Sequence, residues 1–471
     1  MADSSSADRI AADLRAWISA AAPGAQLPST RELVARYGAG PVTVQKAVRM
    51  LASLGLVESR PGAGTFVRAR SVARVPDYGW QTAALGTPRS LPTLSSAMRT
   101  VADDAIALHS GYPDPELLPG RLVRAAFTRA ARSDAALSRS PAAGLPELRA
   151  WFAAELGAGA PAGVAPPAAS DVVILPGSQL GLSAAFRALV GPGRPLLMES
   201  PTYWGAILAA AQAGVQVVPV PSGSDGPDPD ELARAFAQTG ARAFYAQPAF
   251  ANPTGAYWSR ERAGQVLETV RRHGAFLIED DWAHDFGIAA DPAPLAARDD
   301  SGHVVYLRSL TKSISPAVRV AAIIARGPAR ERLLADFQAS AVYVSGILQA
   351  VALDVVTQPA WRTHLRQLRP RLAARRDLLI DALREHAPLA RVEAVPKGGL
   401  NLWVRLPDST DLAALTRDCE AAGVRVAPGN EWFPAEQAGA YLRLNYSGPN
   451  PGAFGEGARI LGQVLEQHRE P

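Results

Sequence analysis

The sequence predicts a protein of the α/β class in two parts. A small helical module ending in a hairpin comes first, and a mostly parallel sheet covered by helices, with a smaller α+β lobe, follows it. Three observations carry this. Strand-like and helical runs alternate from about residue 101 onward, the pattern of a parallel sheet with helical crossovers. The first seventy residues instead hold three helical patterns and two short strands around glycines. Charge is also uneven: residues 1–75 carry ten Lys/Arg against five Asp/Glu in a chain of net charge +4, so the remainder is close to neutral. A basic end on a neutral body implies a polyanionic partner for that end.

In the first module, Ile10, Leu14, Trp17 and Ile18 recur at helical spacing and bury one face. Leu27-Pro28 breaks the chain, and Ser29 with Glu32 makes a capping-box pattern that starts a short helix ending at Gly38. A third helix starts near Pro41, a residue suited to a first turn. Its inner face is Val44, Ala47, Val48 and Leu51, which leaves Thr43, Gln45, Lys46 and Arg49 outward. Two short apolar runs between Leu56 and Val67 flank Pro61-Gly62-Ala63-Gly64 and predict a β-hairpin. Three helices and a hairpin make a winged helix-turn-helix over residues 1–70.

Residues 71–100 lose periodicity and gain Pro, Ser, Thr and Gly, which predicts a linker, partly ordered at most. Residues 101–471 form the second domain. Its predicted strands are Val172–Leu175, Pro195–Glu199, Val215–Val220, Ala241–Gln247, Ala275–Glu279, Val304–Leu307 and Val320–Ala325. From about 355 to 471, two long helical patterns followed by strands at Leu400–Leu406 and Tyr441–Asn445 predict the small lobe.

Composition sets bounds. Cys419 is the only cysteine, so no internal disulfide framework or multi-cysteine metal site is expected, and the seven histidines show no metal-ligand spacing. Met1 to Ser6 lacks the basic start and apolar core of a signal peptide, and no apolar run approaches a membrane span. The expectation is a cytoplasmic protein with no membrane partner.

The chemistry centres on Lys312. It lies in Ser309-Leu310-Thr311-Lys312, seven residues before Arg319 and thirty-two after the pair Asp280-Asp281, which ends an apolar run. Pyridoxal phosphate (PLP) needs this set: an amine to bond its aldehyde, a hydroxyl and a guanidinium for its phosphate, and a carboxylate to keep its pyridine nitrogen protonated. Asp280, at a strand end on the carboxyl edge of the sheet, is the first choice for the carboxylate and Asp281 the second.

Two family resemblances add roles. Leu27-Pro28-Ser29-Thr30-Arg31-Glu32-Leu33, Val42-Thr43-Val44 and Gly62-Ala63-Gly64-Thr65-Phe66-Val67 resemble the GntR family of regulators. The resemblance implies that Arg31, Thr43 and Gln45 face duplex operator DNA and that Arg60 sits in the wing near the minor groove; Lys46 and Arg49 join them from the helix face. Many relatives carry Ser-Arg where this chain has Gly40-Pro41. Downstream, the chain resembles class I aminotransferases, which have the type I fold of PLP enzymes. Ser178 and Gln179, in Pro176-Gly177-Ser178-Gln179 opening a helix, then hold phosphate with Ser309 and Arg319. Tyr203 stacks on the pyridine ring, Asn252 in Asn252-Pro253-Thr254-Gly255 bonds the phenolic oxygen, and Arg443 in Tyr441-Leu442-Arg443-Leu444-Asn445 binds a substrate carboxylate. Two positions depart from that pattern: Trp282 stands where relatives have a tyrosine, and Arg139 stands near the position of a tyrosine that reaches the neighbouring subunit's phosphate.

Together the two halves resemble the MocR subfamily of GntR regulators. That implies a homodimeric, PLP-dependent transcriptional regulator that senses an amino acid or amine, or PLP itself. The competing expectation is an active aminotransferase with an appended DNA-binding domain.

Overall fold

The computed structural model describes residues 5–68, 77–86, 91–92, 95–100 and 105–468. The chain divides into two compact units, Met1–Arg89 and Ser90–Pro471.

The first unit has helices Ser6–Ala20, Thr30–Tyr37 and Pro41–Ser53, then strands Val57–Arg60 and Gly64–Val67. The second helix starts where its capping box dictates. The Glu32 N–H donates to Ser29 Oγ at 3.3 Å, and the Ser29 N–H donates to Glu32 Oε2 at 2.7 Å. Replacing such a cap costs about 1 kcal/mol. Gly38, at φ 58°, ends that helix in the left-handed region, where a glycine is favoured. Gly40 precedes the third helix as its N-cap and Pro41 is its first residue, which accounts for the Gly-Pro replacement locally. Ile10, Leu14, Leu33, Val44, Ala47 and Leu51 form the core; Trp17 and Val48, both assigned to inner faces, are only half-buried. The hairpin pairs Val57 with Val67 and Arg60 with Gly64, and the Leu27 N–H donates to Thr65 O at 2.7 Å, tying the wing to the chain before the second helix.

The stretch expected to be a linker contains a helix, Gly79–Leu85. Its end belongs to the second unit, because Ser95 and Ser96 bond Glu431. Residues 71–76, 87–90 and 93–94 of it lie outside the described residues.

The second unit is built on an eight-stranded sheet. Its order is Val172–Leu175, Ala321–Ile324, Val304–Ser309, Phe276–Asp281, Ala243–Ala246, Pro195–Ser200, Gln216–Gly223 and Gly226–Pro227. The five strands from Val304–Ser309 to Gln216–Gly223 pair parallel, and Ala321–Ile324 runs antiparallel to both its neighbours. Val172–Leu175, Ala243–Ala246 and Ala321–Ile324 are buried at every residue, as continuous apolar runs between helical layers should be.

The smaller lobe departs from its expected order. Helix Pro359–His386 is followed by alternating elements: strand Asn401–Arg405, helix Leu412–Ala421, strand Tyr441–Asn445 and helix Phe454–Gln467. Its antiparallel four-stranded sheet places Tyr441–Asn445 between Asn401–Arg405 and Ala427–Pro428. Residues well before 355 also join it, since Ile106–Ala107 pairs with Val424–Arg425 and Leu108 and Leu117 enter its core. That long-range pairing leaves no trace in local periodicity. No helix among the described residues is long and apolar enough to cross a membrane.

Candidate functional site

The parallel strands end at a cavity of about 290 Å³ lined by Ser178, Gln179, Tyr203, Asn252, Asp280, Ser309, Lys312 and Arg319. These are the eight residues that the sequence nominated for the cofactor, and they come from six separate stretches of chain. Phe276–Asp281 delivers Asp280, Val304–Ser309 ends on Ser309, and the loop before Ala321–Ile324 carries Lys312 and Arg319.

Strand alternation separates the two aspartates. Asp280 faces the cavity, and its Oδ2 accepts from Tyr245 Oη at 2.9 Å and Gln247 Nε2 at 2.8 Å. Its Oδ1 is buried without a partner. Burial pushes the Asp280 carboxyl up to about 6, against the two donors and the attraction of Lys312. Asp281 does not line the cavity and accepts from Tyr306 Oη and His284 Nδ1, each at 2.6 Å. Burial raises its pKa, but His284 and Tyr306 outweigh that and hold it below the usual carboxylate range.

The Lys312 ammonium lies 4.2 Å from the Trp282 ring centroid and about 6 Å from those of Tyr112 and Tyr203. Burial, with added repulsion from Arg443, pulls its pKa down to about 7, and Asp280 opposes the shift. A lysine so placed is about half neutral near pH 7, and the neutral amine can attack an aldehyde. The Trp282 indole N–H is already used, donating to Phe250 O at 3.0 Å. It therefore cannot give the cavity the hydrogen bond that a tyrosine would.

The phosphate end is a cradle. Ser178 and Gln179 open helix Ser178–Ala185, whose first N–H groups and dipole favour an anion. Arg319 packs over Gly177, where a Cβ would sit 2.8 Å from its Nη2, and donates to Pro176 O at 3.3 Å. Arg319 holds φ 42°, a conformation that an arginine rarely adopts.

Asp280 Oδ1, Asn252 Oδ1 and Thr311 Oγ1 are buried, unpartnered and on the cavity wall. Leaving such atoms unpaired costs about 1–3 kcal/mol each, so the cavity suits a polar occupant. A pyridinium N–H would donate to Asp280 Oδ1, a phenolic O–H would donate to Asn252 Oδ1, and a phosphate suits the donors of the cradle.

Arg443 is 1 % exposed and is not part of the cavity wall. Its Nη2 donates to His109 O and to Ser110 O, its Nε has no partner, and its guanidinium lies 4.9 Å from the Trp432 ring centroid. Burial pulls its pKa down to about 10, opposed by Glu431. Arg139 is exposed, 5.8 Å from the Tyr343 ring, and away from the cavity wall. Sequence reasoning missed Met98, Tyr112, Trp204, Leu208 and Gln247 as lining residues. Gln247 alone had a signal, as the end of the strand before the Asn252 motif.

In the N-terminal unit, Arg31, Gln45, Lys46 and Arg49 are exposed and Thr43 is half-buried. Arg49 Nε donates to Gln45 O at 3.4 Å, along the helix face. In the wing, Arg60 pairs with Glu58 at 2.6 Å and lies 4.9 Å from the Phe66 ring, so its guanidinium is pre-placed on the hairpin.

Comparison with known proteins agrees with both units. Residues 104–458 match the aminotransferase class I and II family, and residues 6–67 match bacterial regulatory proteins of the gntR family. The chain is 29% identical over 367 residues to 2-aminoadipate transaminase of Thermus thermophilus, covering 77% of this chain and 90% of that protein. It is 28% identical over 449 residues to the probable rhizopine catabolism regulatory protein MocR of Rhizobium meliloti, covering 93% of this chain and 88% of that one. The crystal structure of the α-aminoadipate aminotransferase LysN from Thermus thermophilus, complexed with N-(5'-phosphopyridoxyl)-L-leucine, aligns with a TM-score of 0.72 at 29% identity, over 78% of this chain and 93% of that one. The chain belongs to the aminotransferase class I and II family, a PLP-dependent fold type I domain here preceded by a GntR-type DNA-binding domain.

Proposed function

We propose that the protein is a PLP-dependent transcriptional regulator whose N-terminal unit binds operator DNA and whose cavity senses an amino acid or amine. In this reading, Lys312 bonds the cofactor aldehyde and Asp280 holds the pyridinium. Tyr203 stacks on the ring, Asn252 meets the phenolic oxygen, and Ser178, Gln179, Ser309 and Arg319 hold the phosphate. Bound there, PLP supplies an electron-withdrawing ring for amine chemistry. Arg443 pairs with the carboxylate of the ligand. Arg31, Thr43, Gln45, Lys46, Arg49 and Arg60 contact DNA. Operator binding implies a cytoplasmic location.

The observation that carries sensing over turnover is Trp282. Its N–H is committed to Phe250 O, so it cannot donate to the cofactor where relatives use a tyrosine. The full-length likeness to a regulatory protein supports the same reading. The second reading, an active aminotransferase, is favoured by Lys312 itself, whose pKa near 7 suits it to carry protons as well as to bind.

A homodimer is part of the proposal. Leu137 is 95 % exposed, and Val342, 55 % exposed, holds φ 60°, which costs a β-branched residue free energy. Tyr343, next in the chain to Val342, is also exposed and carries Arg139 over its ring, so exposed apolar surface here suits a second copy of the chain.

The test is a titration of PLP-loaded, full-length protein with amino acids and amines, with and without keto-acid acceptors. The visible spectrum of the bound cofactor and the released products are both followed. A saturable spectral change without product supports the proposal. Product formation over many turnovers moves the reading to the aminotransferase, and no response to any amine leaves a sensor of PLP itself.

A further inference from the structure

Seven described lining residues fall outside the cofactor set; Tyr112, Gln247, Thr311 and Trp282 adjoin Lys312 or Asp280, and the other three, Met98, Trp204 and Leu208, are apolar. Met98 keeps 46 % of its surface exposed although it stands at the cavity, so it offers apolar surface with no protein partner covering it. Its place is fixed. The turn Ser96–Met98 is held by Glu431, which accepts from Ser95 Oγ at 2.5 Å and from the Ser96 N–H and Oγ at 3.1 Å. Ala97 and Leu208 pack against the aromatic cluster of Trp204, Trp403, Trp432 and Phe433. This side of the cavity is therefore a rigid apolar wall with one adaptable thioether at its edge.

Charge points the same way. Lys312 and Arg319 are the only cations among the described lining residues, and both have duties toward the cofactor. Arg443, behind the wall, can match one carboxylate. A second carboxylate set against Met98 and Leu208 would lose its water to apolar side chains on this wall.

Resting on the regulator reading above, we infer that the ligand is an α-amino acid with an apolar side chain, seated against Met98, Trp204 and Leu208, and that Met98 sets this selectivity. Dicarboxylic and ω-amino acids are excluded. The first would set their distal carboxylate against the apolar wall. The second carry their carboxylate at the wrong distance from the amine and leave the apolar wall bare.

The experiment uses full-length protein loaded with PLP. Affinities for L-leucine, L-methionine, L-glutamate and 4-aminobutyrate are measured by calorimetry and by the shift in thermal midpoint. Leucine and methionine should bind at least tenfold more tightly than either of the others, the gain expected from burying one aliphatic side chain. Met98→Arg should lose at least tenfold in leucine affinity and gain in glutamate affinity, while Met98→Leu keeps the wild-type order. Leu208→Gln gives a second, independent test by weakening leucine selectively. Loaded wild-type protein that binds glutamate or 4-aminobutyrate as tightly as leucine overturns the inference, as does a Met98→Arg variant with unchanged ranking. Protein that takes up no PLP overturns the regulator reading and this inference with it.

Discussion

The two units handle charge in opposite ways. On helix Pro41–Ser53, Gln45, Lys46 and Arg49 stand in solvent on a core of Val44, Ala47 and Leu51, and their function is open to any polyanion of the right shape. In the large domain, Lys312, Asp280 and Arg443 are enclosed, and burial moves each toward its neutral form. A surface set of charges is tuned by ionic strength, whereas a buried set is tuned by its neighbours and by pH. The same kind of substitution should therefore have different signatures in the two units.

The largest effect belongs to the cavity. Lys312→Ala should purify without the visible absorbance of bound PLP and give no adduct after borohydride reduction, since no other lysine lines the wall among the described residues. A reducible covalent cofactor in that variant would move the attachment point elsewhere. Asp280→Asn comes next. It keeps the shape but loses the charge that a pyridinium pairs with, so PLP affinity should fall about 10–100-fold, the equivalent of one charge-assisted hydrogen bond. Equilibrium dialysis measures this, and unchanged affinity would favour Asp281 instead.

On the DNA side, effects should be smaller and salt-dependent. Lys46→Ala and Arg49→Ala should each lower the slope of log affinity against log salt by about 1, because each phosphate contact releases about one counterion. Gln45→Ala should change sequence preference by roughly 1–3 kcal/mol per contacted base and leave that slope unchanged. Binding isotherms at several salt concentrations separate the two. A salt-independent loss for Lys46→Ala would break the contrast drawn above.

The most modest prediction is a shift in pH. Lys312 carries its proton below about pH 7 and is neutral above it, compared with 10.5 for an ordinary lysine. PLP uptake should slow as pH falls through about 7, and the midpoint should rise in Arg443→Ala, which removes a repelling charge. The sign for stability follows. Between about 7 and 10.5 only the unfolded chain binds this proton, so cofactor-free protein should gain stability as pH rises through that window.

Much of this was legible in the sequence because it lies in short motifs. The capping box at Ser29, the Ser-x-x-Lys at 309–312 and strand Tyr441–Asn445 depend on neighbours within a few residues. Asp280 was legible as the end of a strand on the carboxyl edge of the sheet, a feature of the local apolar run. What could not be read depends on distant contacts. Trp282 was visible as a replacement for tyrosine, but its bond to Phe250 O spans thirty-two residues. Tyr112 and Met98 belong to no motif and reach the cavity through the pairing of Ile106–Ala107 with Val424–Arg425 and the Glu431 contacts. The Ser95–Met98 turn lay in a stretch whose composition predicted only a linker.

Occupancy of the cavity is expected to set the affinity for DNA. The most direct test is the dissociation constant of full-length protein for its own upstream DNA, measured at fixed salt with PLP alone and with PLP plus saturating L-leucine. Coupling of the usual size, about 1–3 kcal/mol, predicts a change of roughly 5–150-fold between the two states, abolished in Arg443→Ala. Identical DNA affinity in both states, while leucine demonstrably binds, would contradict the account.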